Sequence, residues 1–235
     1  MSTYSRNPQI DRGVTTLKWK NDPYPGNCRR HQLVFRKFQV IPEYCFGCYK
    51  IVIAPHNVLE LFKLMLVFED LKLPDDNTRK CRIVTSGDVA GYYKGFIYIQ
   101  DFEEAKEIQN IVEPIIREEV CSDIPMYIKR GCSNFGLVYP DYVNPDEKVA
   151  PYMMYPNEWR EHEDYVDTHL AGDIKPIKRD SFNNPDFDAT DFQTMYTWLA
   201  YASAVGDKSY IKISGTPVRP LPIDKPPFEV VCGKE

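Results

Sequence analysis

Apolar residues alternate or recur at helical spacing through the middle of the chain, and the two flanks are less regular. Tyr49 to Ile53 predicts a strand, with Ile51 and Ile53 on one face and Lys50 and Val52 on the other. Asn57 then caps a helix that has Glu60 as its third residue, runs to about Leu71 and is closed by Pro74. Lys80 to Thr85 predicts a second strand, Ser86-Gly87-Asp88 and Gly91 a turn, and Tyr93 to Gln100 a third strand. Asp101 and Glu104 repeat the helix-start signal ahead of an apolar face of Ala105, Ile108, Ile111, Val112 and Ile115, with Pro114 expected to kink or end the helix early. Met126 to Cys132 predicts a fourth strand. The order strand, helix, strand, strand, helix, strand is the βαββαβ, or ferredoxin-like, pattern, and it predicts a central domain over residues 44–135.

Ahead of that unit, residues 1–43 form a basic arm carrying Arg12, Lys18, Lys20, Arg29, Arg30, Arg36 and Lys37. Its segment Leu33 to Ile41, rich in β-branched and aromatic residues, predicts a strand, and Pro23 to Asn27 a turn. Residues 136–235 predict a mainly helical extension, with helices over Asn157–Leu170 and Asp191–Val205, the latter stopped by Gly206. A short strand at Tyr210–Ser214 and an extended Pro-rich tail from Pro217 to Pro227 complete the expectation. No internal repeat is present. The fold class expected is therefore α+β.

Composition narrows the classes. With 235 residues, 43% of them hydrophobic, the chain has ordinary globular content. Met1 to Arg12 lacks the apolar core of a signal peptide, and the longest apolar run, Leu59 to Phe68, is interrupted by Lys63 and falls short of the ~20 residues that cross a bilayer. The expectation is a cytoplasmic protein without a membrane span. Seven cysteines, unevenly spaced, suit reduced thiols or metal ligands better than a disulfide framework. A net charge of −5 argues against general coating of nucleic acid and leaves room for a local basic surface.

Two short motifs carry the clearest chemistry: Cys28-Arg29-Arg30-His31 and Cys45-Phe46-Gly47-Cys48. Two residues between donors let one tight turn aim both at a single tetrahedral ion, and two such turns close a structural zinc site. In the strand order 4-1-3-2 of the ferredoxin-like pattern, strand four lies antiparallel to strand one, which brings Cys132 beside Cys45 and Cys48. Cys28 or His31 would complete the set. Four thiolates also suit an iron–sulfur cluster. A redox pair is disfavoured because Cys45 and Cys48 lead into a strand and not a helix N-terminus. Cys81, Cys121 and Cys232 are expected to pack as small apolar residues, and His162 and His169 to be surface or core residues on one helix face.

With both helices on the isoleucine face, the opposite sheet face would present Lys50, Arg82, Lys94, Phe96, Tyr98, Tyr127 and Lys129, with no carboxylate in the strand centres. Cations with exposed rings suit single-stranded nucleic acid, RNA above all, because phosphates meet the charges and bases stack on the rings. The stretch Lys94-Gly95-Phe96-Ile97-Tyr98-Ile99 resembles the third-strand signature of RNA-recognition motifs, which implies stacking by Phe96 and Tyr98. It departs from that family at Ile97, where a small residue is usual, at Asp101, where a further aromatic belongs, and in strand one, which offers Lys50 or Val52 in place of an aromatic. The alternative is a sheet covered by the C-terminal hundred residues, in an interaction or assembly protein whose metal is a staple; a third reading is an iron–sulfur redox protein. Catalysis is disfavoured. A polymerase-type palm needs paired carboxylates where this chain has His56 and a single Asp88, and no phosphate-cradling glycine loop or nucleophile elbow appears.

Overall fold

A computed structural model describes residues 17–20, 27–84, 90–170 and 189–218. These form an α+β structure around an antiparallel sheet of β1 (Leu17–Lys20), β2 (Tyr49–Ile53), β3 (Arg79–Ile83), β4 (Tyr93–Ile99) and β5 (Met126–Arg130), in the spatial order β1-β3-β4-β2-β5. Every pairing is antiparallel. Helix α3 (Val58–Asp70) follows β2 and α4 (Phe102–Glu119) follows β4, so the run from β2 to β5 is strand, helix, strand, strand, helix, strand. β1, which the sequence did not announce, adds to the sheet beside β3. No helix among the described residues is long and apolar enough to cross a membrane.

Local chemistry explains where the two helices start. The Asn57 side chain accepts the Glu60 N–H at 3.0 Å while its amide donates to the Glu60 carboxylate at 2.7 Å, a reciprocal cap on α3. The Asp101 carboxylate accepts the N–H groups of Glu103 and Glu104 at 2.8 and 3.0 Å and starts α4. Both helices cover one face of the sheet, where Ile51, Ile53, Ile83, Ile97 and Ile99 meet Leu61, Leu64, Ile108, Val112 and Ile116 in the main core. Gly95 permits that approach, since a Cβ there would stand 2.5 Å from Leu64 Cδ2. Helix α7 (Ala189–Ala204) thickens the same side: its fully buried Trp198 stacks on Phe62 of α3 with ring centroids 5.8 Å apart.

Several expectations need correction. Leu33–Ile41 is not a strand: α1 (Cys28–Phe38) occupies most of it, capped by Asn27 accepting the Arg30 N–H at 3.2 Å. Its buried residues His31, Val34 and Phe35 are three and four apart, and this helical spacing overrides the β-favouring composition. Pro114 does not end α4, which continues to Glu119; the proline lies on the exposed side, where water can serve the carbonyl its ring releases, and the buried stripe continues to Ile116. Ile111 is exposed as a result. Tyr210–Ser214 is not a strand; Ile211–Ser214 forms a short helix, α8. The described secondary structure does not reach Arg12, the turn at Pro23–Gly26, the turn at Ser86-Gly87-Asp88, most of the Pro-rich tail or Cys232, all of which lie outside the described residues.

The remaining elements gather at one end of the sheet. Helices α1, α2 (Glu43–Phe46) and α5 (Ser133–Val138) contribute to a second cluster of Phe35, Ile41, Cys45, Phe46, Phe135 and Tyr142, and α6 (Arg160–His169) packs beside it through Val166, against Val34 and Val40. Glu163 of α6 binds this end together, accepting from Arg30 at 2.6 Å, the backbone N–H of Glu43 at 2.7 Å and the Tyr155 hydroxyl at 2.9 Å. Arg30 also forms a two-pronged pair with Asp167 at 2.6 and 2.7 Å.

Candidate metal centre and basic sheet face

The pairing of β2 with β5 sets Tyr49 opposite Arg130, and the Gly131 N–H continues the ladder to the Cys48 carbonyl at 2.7 Å. Cys132 therefore arrives beside the turn that carries Cys45 and Cys48. That turn is α2 and the two residues after it, closed by the Cys48 N–H donating to the Cys45 carbonyl at 3.3 Å. Two buried groups fasten it. Arg130 donates to the Phe46 carbonyl at 3.0 Å, and the Tyr142 hydroxyl donates to the Cys45 carbonyl at 2.6 Å. Gly131 is required between β5 and Cys132: its φ is +54°, and a Cβ would lie 1.9 Å from the Tyr142 hydroxyl oxygen. Cys28 approaches from the first turn of α1.

The four thiols Cys28, Cys45, Cys48 and Cys132 share one electrostatic neighbourhood. Burial first, and then repulsion by Cys132 and Cys48, pushes the thiols of Cys28 and Cys45 above the ordinary value. Cys45 and Cys48 are buried, Cys132 is half-buried and Cys28 is exposed. Lys50 supplies a cation: its Nζ donates to the Gly131 carbonyl at 2.9 Å and lies 3.6 Å from Cys132 Sγ. Burial lowers the Lys50 pKa, and the surrounding thiols with Tyr98 outweigh it, so the ammonium is held above its usual range. The donor set is all sulfur and suits zinc or an iron–sulfur cluster better than magnesium or calcium. Among the described residues, one group of three donors lies within 4.8 Å of one another, His56, Cys121 and Asp123, so no three of the four thiols approach each other that closely. The four thiols thus form a wider array than a closed zinc site, whose ~2.3 Å metal–sulfur bonds imply sulfurs ~3.8 Å apart.

His31 points elsewhere. It is buried, stacked on Tyr44 with centroids 5.1 Å apart, and its charged neighbours are Arg30, Glu163 and Asp167. Burial, reinforced by Arg30, pushes its imidazole down to about 4. The group brought together is thus Cys28 with Cys45, Cys48 and Cys132. Arg130, Gly131 and Tyr142, which position two of these thiols, were missed in the sequence; a glycine directly before a candidate ligand was the available signal. Cys81 is buried in the main core, as a small apolar residue would be.

On the face away from α3 and α4, the register aligns Lys50 with Tyr98 and Lys129, Val52 with Phe96 and Tyr127, and Arg82 with Lys94. Exposure there is uneven. Lys50, Lys94 and Tyr98 are buried; Arg82, Phe96 and Lys129 are half-buried; Tyr127 is exposed. Lysines lie over the rings, with Lys50 Nζ 5.3 Å from the Tyr98 centroid and Lys80 Nζ 5.2 and 4.9 Å from those of Phe96 and Tyr98. Burial, with repulsion from Lys50 and Arg82, pushes Lys80 down to about 7. His162 stacks on Phe38 of α1 and His169 on Tyr165, so both are engaged in packing on α6. No protein-family model, curated protein or solved structure matches the chain.

Proposed function

We propose that the chain is a metal-stapled binding protein: a ferredoxin-like unit whose N-terminal helix is fastened to the end of the sheet by a zinc ion on Cys28, Cys45, Cys48 and Cys132. The observation that supports this reading is that four cysteines from three separate segments share one electrostatic neighbourhood with the Lys50 ammonium, which would offset part of the negative charge of a tetrathiolate centre. A centre of this kind converts metal affinity into folding energy and supplies no chemistry to a substrate. The wider array of thiols is the observation that favours an iron–sulfur cluster instead, and visible absorbance separates the two. Cys45→Ser should release about one ion per chain and lower the unfolding midpoint strongly, whereas a variant of unchanged metal content and stability removes the proposal.

The sheet face is the binding surface in this reading. Burial of Lys50, Lys94 and Tyr98 supports a covered face that serves a protein interaction or assembly role. The all-cationic strand centres, with Arg82, Phe96, Tyr127 and Lys129 at least partly accessible, support single-stranded nucleic acid as the second reading. One variant distinguishes them. On a covered face Phe96→Ala costs ~3 kcal/mol of stability through a cavity, with no oligonucleotide affinity to lose. On a binding face it weakens a salt-dependent oligonucleotide complex by ~1 to 3 kcal/mol.

A further inference from the structure

The opposite end of the same strand pair holds a second group of donors. β2 and β5 align Ile53 with Met126, and the Ala54 N–H donates to the Pro125 carbonyl at 2.9 Å. This brings His56, just past β2, against Cys121 and Asp123, which lie between α4 and β5. The length of β2, roughly 15 Å, separates this group from the four thiols. One imidazole nitrogen, the Cys121 sulfur and a carboxylate oxygen of Asp123 all lie within 4.8 Å of one another.

The surroundings orient these donors. Glu60 accepts from the His56 backbone N–H at 2.7 Å and meets its Nδ1 at 2.9 Å. With Nδ1–H directed at Glu60, the Nε2 lone pair is left for a ligand, the arrangement by which a carboxylate fixes the tautomer of a metal-binding histidine. Glu60 is itself held, because its other oxygen accepts from the Asn57 amide at 2.7 Å. The Cys121 thiol donates to Asp123 at 2.8 Å, so the two remaining donors already face each other. Arg117 also influences Asp123, but its guanidinium is engaged by Glu113 and by the Ser122 carbonyl at 2.6 Å.

We propose that His56, Cys121 and Asp123 form a second, solvent-facing site for a divalent transition metal of borderline softness, zinc or cobalt, with Glu60 as its positioning residue. Nitrogen, sulfur and oxygen each supply one ligand and solvent fills the fourth position, the pattern of an accessible site and not of a closed staple. Binding displaces the thiol proton to solvent and exchanges the thiol–carboxylate hydrogen bond for two metal bonds. A thiolate and an imidazole disfavour magnesium and calcium, which require oxygen.

The test is titration of the intact chain with Co²⁺ alone, reading equivalents bound and the thiolate-to-metal absorption, in wild type, His56→Gln, Cys121→Ser and Glu60→Gln. All three substitutions are near the surface, and Gln at position 60 preserves the helix cap. The wild type should bind one more equivalent than either His56→Gln or Cys121→Ser, whatever the four-thiol centre holds, and Glu60→Gln should bind that equivalent about 10- to 100-fold more weakly. Millimolar Mg²⁺ should not compete. Equal stoichiometry and affinity in all four proteins would overturn the site, and so would a loss confined to Cys121→Ser, which would mean simple thiol binding without the histidine.

Discussion

At the scale of single residues, His31 carries a specific pH signature. Its imidazole is held down to about 4 by burial and by Arg30, whereas an unfolded chain titrates it near ~6.5. Between those values the unfolded chain binds the extra proton, so stability is complete above ~6.5 and falls as the pH drops towards about 4. Comparing urea midpoints of wild type and His31→Phe over this range isolates the effect, since both proteins share the thiol centre and the ring stack on Tyr44 survives. The variant's curve should be flatter, by at most ~3 kcal/mol across the window; parallel curves would mean that His31 is not buried as a neutral ring. The choice between Cys28 and His31 was not legible in the sequence for a related reason. Both sit in the first turns of α1, and His31 is held by its stack on Tyr44 on the side of α1 where Arg30 binds Glu163 and Asp167, more than 130 positions away along the chain.

At the scale of elements, the starts of α3 and α4 were readable because a cap is written within four residues. Asn57→Ala and Asp101→Ala should each lower stability by ~1 kcal/mol, by leaving helix N–H groups without their side-chain acceptors. Unchanged denaturation midpoints in both would show that these contacts do not hold the helix ends. α1 was misread because Val34, Phe35, Val40 and Ile41 suggest a strand when composition is weighed ahead of spacing, and its apolar side is defined by α6 and by the turn carrying Cys45, which no local pattern announces. Pro114 was misjudged for want of knowing which side of α4 faces solvent.

At the scale of the whole molecule, the alternation in β2 to β5 was enough to anticipate which residues share a sheet face, and the antiparallel pairing of β2 with β5 was enough to bring Cys132 to Cys48. The burial of Lys50, Lys94 and Tyr98 was not legible, because alternation assigns a side and says nothing about what shields it. The same strand pairing unites His56 with Cys121 and Asp123 at its other end, a juxtaposition implied by the same antiparallel strand ends that bring Cys132 to Cys48. The most direct measurement is the metal content of the purified 235-residue chain, by elemental analysis together with its visible spectrum. A colourless protein carrying tightly held zinc, about one ion of which is lost in Cys45→Ser, is the expected result. A stable wild type without metal would contradict the four-thiol staple outright.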